Sequence, residues 1–265
     1  MRIGLSIWHD ILGIFEKNPE LLNALFNDAE LRDIEVHPND SDEFKTLLFE
    51  MAKRFRLRYS VHCTHSYYNP KVNLCSNKPE IMENSDLCLK EAIKYAQELN
   101  AQYIIIHPDA LKDVPKQEAL NILESHIRNN LGLLDKSQKI LIENMPGEEF
   151  ALSAPLEFKE FLKRFDGRVA VCWDVGHEIH RFKKQAFEFP KLLKEKIKEI
   201  HLSGVVNFCD HYPLTKGDLN LHEFAENLRE IDYKGAVIFE MPSKNTSDIL
   251  DVIESKKEID RFFKK

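Results

Sequence analysis

The sequence lacks a cysteine framework and an apolar segment of membrane length. Its five cysteines form no Cys-x-x-Cys pair and are odd in number, so we expect reduced thiols. No apolar run is long enough to cross a bilayer, and no apolar stretch with a cleavage site precedes the strand-like run Arg2–Ile7. We therefore expect a cytoplasmic protein without a membrane partner.

An excess of positive charge is also missing. The chain has 37 Lys and Arg against 44 Asp and Glu, which gives a formal net charge of -7. This balance argues against general binding to nucleic acid, although a local basic groove or metal ions can still receive a phosphate. Duplex DNA is therefore not the favoured partner, and we expect a small phosphorylated or sugar substrate.

Two further absences concern the architecture. No linker rich in Gly, Pro or Ser divides the 265 residues, so we predict one domain over residues 1–265. No Gly-x-Gly-x-x-Gly follows the first strand, so a nucleotide-binding, open doubly wound sheet has no support.

Eight strand-like runs alternate with segments of helical periodicity. The predicted strands are Arg2–Ile7, Asp33–Val36, Tyr59–Val61, Tyr103–Ile106, Ile140–Ile142, Val169–Trp173, Glu199–Leu202 and Ala236–Phe239. The predicted helices are Pro19–Asn27, Ser41–Arg54, Pro79–Leu99, Lys116–Leu134, Leu156–Phe165, a region around Ala186–Lys196, Leu221–Arg229 and Ser247–Phe263. This alternation predicts an α/β fold, a single (β/α)8 TIM barrel with its site at the C-terminal ends of the strands.

Residues that bind metals or move protons follow almost every predicted strand. They are His9, His37, His62, His107, Glu143, Asp174, His201 and Glu240. The carboxyl ends of barrel strands converge on one face, so these side chains are expected to meet there. In contrast, His126, His180 and His222 fall in or beside helical segments, and we interpret them as surface or packing residues.

The stretch Val169–His177 carries the sharpest signal. An apolar run ends in Asp174, and His177 follows three residues later, past Gly176. We expect Gly176 to allow a tight turn that directs His177 back toward Asp174, as two metal ligands. The alternative, in which Asp174 only caps a helix, stays open.

Four residues lie near the carboxyl ends of strands five to eight and form a predicted metal centre: Glu143, Asp174, His201 and Glu240. Crowded carboxylates raise one another's pKa, and a divalent cation is the simplest way to keep them ionised. Pairing with Arg or Lys is the alternative, but the flanking apolar runs carry no basic residue. With the additional histidines His62, His107, His177 and His211, the ligands exceed the need of one ion, which predicts two or three metals.

A family resemblance rests on motifs spread in order over nearly the whole chain. They are Ser60-Val61-His62, Ile106-His107-Pro108, Ile142-Glu143-Asn144, Cys172 to His177, Ile200-His201-Leu202, Asp210 to Leu219 and Phe239-Glu240. Together they resemble the xylose isomerase-like TIM-barrel superfamily, which includes endonuclease IV and sugar isomerases and epimerases.

The endonuclease IV pattern implies metal ligands at His62, His107, Glu143, Asp174, His177, His201, His211 and Glu240. That family has Asp-x-His in the long loop after strand seven, whereas this chain has Cys209-Asp210-His211. Either Asp210 reaches the ion through a loop shift or Cys209 takes the ligand position. The first strand ends in Trp8-His9-Asp10 instead of a glycine-rich turn, so an abasic-site endonuclease ranks third.

The isomerase and epimerase branch is similar at Glu143, Asp174, His201 and Glu240, which there bind one ion while the two glutamates move a proton. A single-ion isomerase does not require His62 and His107. We therefore predict a metal-dependent hydrolase of a phosphate ester, with a sugar isomerase or epimerase as the alternative. Zinc is the expected metal, with manganese or iron as alternatives.

In this hypothesis Glu143 bridges the ions, and Glu143, Glu240 and His177 carry the catalysis. Four residues are predicted to contact the substrate: Trp8, His9, Tyr67 and Lys216. Tyr67 lies in a loop over the predicted site, where it is placed to stack on a base or a sugar ring. His65 is the alternative to His62 as the ligand that follows strand three.

Overall fold

Eight parallel strands close into a barrel in the computed structural model, which describes residues 1–7, 11–38, 41–242 and 245–263. The barrel strands are β1 Arg2–Ile7, β2 Asp33–Val36, β3 Arg58–His62, β4 Tyr103–Ile106, β5 Lys139–Glu143, β6 Val169–Asp174, β7 Ile197–Leu202 and β10 Ala236–Phe239. Their order around the barrel is β1-β10-β7-β6-β5-β4-β3-β2. A hairpin of β8 Gly204–Val206 and β9 Cys209–Tyr212 follows β7. The predicted α/β barrel is confirmed.

Helices separate the strands along the chain. They are α1 Ile11–Lys17, α2 Glu20–Asn23, α3 Asp42–Phe55, α4 Pro79–Glu98, α5 Lys116–Leu131, α6 Pro155–Phe161, α7 Val175–Phe182, α8 Glu188–Leu193, α9 Leu221–Glu230 and α10 Thr246–Phe263. Capping fixes the ends of α3, where Ser41 accepts a hydrogen bond from the Phe44 N–H and Arg56 takes a left-handed conformation. Among the residues that the structure describes, no helix is both long and apolar enough to cross a bilayer.

The two faces of the strands have different environments. Outward-facing residues such as Trp173 and Ile200 join the large apolar core under the helices. Inside the barrel, one side holds a small apolar cluster that includes Tyr103, Leu141 and Cys172. The period of two along each strand therefore leaves Asp174 on the inner face, two residues after Cys172.

The structure departs from the predicted elements at several places. The predicted helix Pro19–Asn27 is α2 followed by a π-helical turn over Ala24–Asp28. Helix α7 begins directly after β6, in place of the tight turn that was predicted at Gly176. The hairpin of β8 and β9 was not predicted.

Candidate metal centre

Strand register brings the acidic residues to one end of the barrel. Glu143 is the last residue of β5 and pairs with Cys172 of β6, and Asp174 pairs with His201 of β7. Glu143, Asp174 and His201 are all buried. Parallel neighbouring strands therefore place these side chains side by side on the inner face of the barrel.

Glu143 lies at the middle of this group. Its Oε2 atom is 3.3 Å from His62 Nε2 and 3.2 Å from His107 Nε2. The same oxygen is 3.4 Å from His201 Nδ1, and Oε1 is 3.4 Å from His177 Nδ1. A carboxylate with both oxygens among four imidazoles has the arrangement of a bridging ligand.

Four ligand atoms from the ends of β5, β6, β7 and β10 lie within 4.8 Å of one another, from Glu143, Asp174, His201 and Glu240. Within this set, Glu143 Oε1, His201 Nδ1 and Glu240 Oε2 are buried without a hydrogen-bond partner. An unsatisfied buried polar atom costs about 1–3 kcal/mol. A divalent cation would satisfy all three atoms at once, so the residues fit a metal ion.

A third group joins α7 to the hairpin. Asp210 Oδ2 is 3.6 Å from His177 Nε2, and Asp210 Oδ1 is 3.7 Å from His211 Nε2. Neighbours in an extended strand point to opposite faces, but His211 has a φ of +62°. This left-handed residue interrupts the alternation, and Asp210 and His211 lie on the same side. Asp210 and the His211 ring both contact His177, whereas Cys209 is exposed.

Asp174 is both a member of the buried acidic group and a helix cap, the two roles that its sequence pattern left open. It belongs to the buried acidic group, and its Oδ1 atom also accepts a hydrogen bond from the His177 N–H at the start of α7. Asn144 fixes this corner, since its side chain bonds to both the N–H and the C=O of Asp174. The Asn144 carbonyl oxygen lies 2.8 Å from His177 Nδ1, so a proton on Nδ1 leaves Nε2 free as a ligand toward Asp210.

The role expected for Gly176 was wrong. Gly176 lies within α7 and has no positive φ, so it makes no tight turn. A Cβ atom at this position would stand 2.5 Å from Asp210 Cβ. The glycine is required because the hairpin approaches the helix closely.

We expect Gly176→Ala to displace Asp210 and to remove metal from the group of His177, Asp210 and His211. The barrel should remain folded, because alanine is favoured over glycine in a helix by up to about 1 kcal/mol. Metal analysis by mass spectrometry together with thermal unfolding measures both effects. Gly132→Ala is the matched control, since a Cβ atom there meets open space. A full metal complement in Gly176→Ala would contradict the prediction.

The electrostatics of the metal-free centre couple acids and imidazoles. Burial by itself raises the pKa of Glu143, but His201 and His107 reverse this effect and hold it well below the usual range. Burial raises the pKa of Asp174 to about 7 against the opposing effect of His177. Burial lowers the pKa of His62, yet the carboxylates around it raise the net value to about 9. Protons on these groups thus supply part of the positive charge that a bound cation would otherwise supply.

A cavity of about 630 Å³ opens onto the centre. Glu143, His177 and Glu240 form part of its wall, and Tyr67 and Phe150 form another part. Its lining within the described residues contains one Lys or Arg side chain, that of Lys112. The site therefore joins a group of metal-binding residues to a largely apolar pocket.

The structure places the predicted substrate residues in different surroundings. Tyr67 lines the cavity and is 85% exposed. Lys216 does not line it, and its Nζ atom instead lies 2.8 Å from Asp251 Oδ2 of α10. The ammonium group of Lys216 is thus paired with α10, and its contact with a substrate stays a prediction. Trp8 and His9 lie outside the described residues.

Sequence reasoning missed two buried acids inside the barrel, Glu35 and Glu199. Each alternates with apolar residues along its strand, in Asp-Ile-Glu-Val and Ile-Lys-Glu-Ile-His-Leu, a period-two signal for the inner face. His65, proposed only as a replacement for His62, stands beside it, since His62, His65 and His107 form one possible ligand group.

Comparisons with known proteins agree with the fold. The model of a family described as xylose isomerase-like TIM barrel matches residues 21–262. An uncharacterised protein of Methanocaldococcus jannaschii is 25% identical over 261 residues, covering 92% of this chain and 90% of the relative. A protein of Mycoplasmopsis synoviae named probable endonuclease 4 is 27% identical over 172 residues, covering 58% of this chain and 61% of that protein.

Two solved structures show the same architecture. A D-tagatose 3-epimerase-like protein has a TM-score of 0.80 at 22% identity, with 99% of this chain and 97% of that chain covered. Endonuclease IV from Thermus thermophilus has a TM-score of 0.68 at 18% identity, with 97% of this chain and 99% of that chain covered. At these identities the likeness shows a shared fold.

Proposed function

The chain belongs to the xylose isomerase-like TIM barrel family, and we propose that it is a metal-dependent hydrolase of small phosphate esters. The position of Glu143 carries the proposal. Its carboxylate contacts His62 and His107 on one side and His177 on another, within a set of ligands larger than one ion requires. Shared carboxylates of this kind are typical of multinuclear hydrolytic centres.

Divalent ions bound here would supply an activated water and would stabilise the charge that develops on the phosphate. Glu143 contacts His62 and His107 through Oε2 and His177 through Oε1, so it would hold metal ligands on both sides of its carboxylate. His177 and His211 both line the cavity, where with Asp210 they would hold an ion close to a bound phosphate. Glu240 also lines the cavity, and its Oε2 atom lies 3.2 Å from His201 Nδ1.

The cavity supports a small substrate. Its volume of about 630 Å³ is in the range of small-molecule sites, which is about 300–1,000 Å³. Duplex DNA is recognised through many phosphate contacts from Lys and Arg. Among the described residues that line the cavity, Lys112 is the single Lys or Arg. The net charge of -7 favours a small molecule for the same reason.

The test combines metal analysis with a substrate panel. Protein purified without chelator is analysed for bound metals and then assayed on sugar phosphates, nucleotides and abasic DNA, and on ketoses and aldoses. Two or three ions per chain with release of inorganic phosphate from small esters supports the proposal. A single ion with sugar isomerisation and no phosphate release rejects it.

A sugar epimerase is the second candidate, because Glu143 and Glu240 both line the cavity and both contact His201. Two carboxylates on opposite sides of a substrate can remove and return a proton. The group of His177, Asp210 and His211 has no part in that scheme.

His211→Ala separates the two candidates. For the hydrolase we expect at least about a hundredfold loss of activity, the range for loss of one group that stabilises a transition state. An epimerase that uses only Glu143, Asp174, His201 and Glu240 should keep most of its activity. His222→Ala is the matched control, because His222 is exposed and its contacts, with Glu226 on α9 and with the Phe262 ring, are away from the candidate metal centre. Full phosphoesterase activity in His211→Ala would contradict the proposed role.

A further inference from the structure

Glu35 is a buried acid that neither the motifs nor the proposed reaction uses. It is the third residue of β2, and its neighbours in register are Ser6 on β1 and Ser60 on β3. These short side chains leave room for Glu35 to extend across the barrel interior. Its exposed fraction is 0%, so its carboxylate has no access to solvent.

The carboxylate of Glu35 reaches a residue of the candidate metal centre. Glu35 Oε2 lies 2.9 Å from His201 Nε2, and both side chains are fully buried. Taking a carboxylate out of water costs several kcal/mol unless a partner compensates for it. The imidazole of His201 compensates Oε2, whereas Oε1 is buried without a hydrogen-bond partner, and Glu35, His62 and Glu240 have ligand atoms within 4.8 Å of one another.

That contact determines which nitrogen of His201 can bind a metal. A carboxylate only accepts hydrogen bonds, so Nε2 carries a proton, and in the neutral imidazole that binds a metal Nδ1 then keeps its lone pair. Nδ1 faces Glu240 Oε2 at 3.2 Å and Glu143 Oε2 at 3.4 Å, and it has no hydrogen-bond partner of its own. The orientation and the tautomer of the ring therefore both suit a ligand for an ion between these carboxylates.

We propose that Glu35 is the positioning residue of the metal centre, holding His201 so that Nδ1 is presented to the ion. The inference rests on the metal site of the proposed function and is independent of the reaction catalysed there. Such outer carboxylate partners typically change metal affinity by roughly 10- to 100-fold.

Glu199 provides a matched control inside the same barrel. It is also buried, and its Oε1 atom is 4.0 Å from His201 Nε2, beyond hydrogen-bond distance. Glu199 instead accepts a hydrogen bond from the Ser60 hydroxyl at 2.8 Å. Substitution of either glutamate by glutamine removes a buried carboxyl group, but only Glu35→Gln changes the hydrogen-bond partner of His201.

The experiment titrates the metal-free proteins with Co²⁺ and follows the visible spectrum, with His201→Ala identifying the signal that depends on this ligand. We expect Glu35→Gln to bind that ion roughly 10- to 100-fold more weakly and Glu199→Gln to remain within about threefold of wild type. Glu35→Asp keeps the charge but shortens the reach, so it should lose affinity as well.

A second readout is the Nε2 proton of His201, observed by NMR in the protein saturated with Zn²⁺. Wild type and Glu199→Gln should show this hydrogen-bonded proton, and Glu35→Gln should lose or strongly shift it. Thermal unfolding confirms that each variant is folded. The proposal is overturned if Glu35→Gln binds Co²⁺ as wild type does, if Glu199→Gln loses as much affinity, or if the proton is unchanged in Glu35→Gln. None of these readouts requires an assay of hydrolysis.

Discussion

Replacement of Glu143 by glutamine is expected to remove bound metal and hydrolytic activity together. The substitution keeps the size of the side chain but takes away the negative charge that, in the proposed function, would hold metal among His62, His107 and His201. An amide also offers one acceptor where the carboxylate offers two. We expect metal content to fall below one ion per chain and kcat/KM to fall by at least about a hundredfold. Metal analysis and a phosphate-release assay on the same preparation measure both.

A second buried glutamate separates this effect from a general loss of stability. Glu178 has 0% exposure, and its carboxylate accepts hydrogen bonds from Trp173 Nε1 and from the Glu188 N–H, away from the metal-binding groups. Glu178→Gln should therefore lower the unfolding temperature but keep metal and activity. If Glu143→Gln kept both at the wild-type level, Glu143 would not belong to the site.

The fold could be predicted from the sequence because strand-like apolar runs and segments of helical periodicity alternate along the chain. Apolar runs such as Tyr103–Ile106 are buried on both faces, as parallel strands covered by helices require, and helical segments separate them. The convergence of Glu143, Asp174 and His201 follows from the same topology, since the carboxyl ends of barrel strands share one face. The family resemblance that these motifs suggested is confirmed by the match over residues 21–262.

The remaining parts of the site depend on contacts distant in sequence. The hairpin places Asp210 against His177, and the left-handed conformation of His211, which no spacing rule predicts for a histidine, puts His211 on the same side. Gly176 matches a turn signal, but its cause is the approach of another segment. Lys216 fits a motif in sequence and is nonetheless paired with Asp251 of α10. Local patterns identify which residues face inward but not what lies opposite them.

Glu35 is a second case in which the sequence pattern predicts an inward side chain but not its partner. Its alternation with apolar residues in β2 predicts an inward side chain, but its partner His201 is 166 residues away. The pairing of β2 with β1, and of β1 with β10, closes the barrel and brings these two residues within hydrogen-bond distance. An isolated acid in a strand can therefore belong to a functional site even where no motif marks it.

The stability gained on adding metal is expected to increase with pH. In the metal-free protein the net pKa of His62 is raised to about 9, with burial opposing the effect of Glu35 and Glu143. A histidine whose pKa is higher in the folded state stabilises the fold fully below its unfolded value near 6.5 and loses that contribution as pH rises toward 9. Burial likewise raises the pKa of Asp174 to about 7, so its ionisation destabilises the metal-free fold as pH rises from about 4 to 7.

Both effects act in the same direction, so the metal-free protein should lose stability between about pH 6 and pH 9, by about 3 kcal/mol from His62 alone. Metal ions need deprotonated ligands and bind more tightly as pH rises, so they replace the missing protons. Thermal unfolding of chelated and Zn²⁺-loaded protein across this range should therefore show a difference that widens with pH. His222→Ala, which alters an exposed histidine, should reproduce the wild-type curves. A difference that stays constant or narrows with rising pH would mean that these buried acids and imidazoles are not where the ions bind.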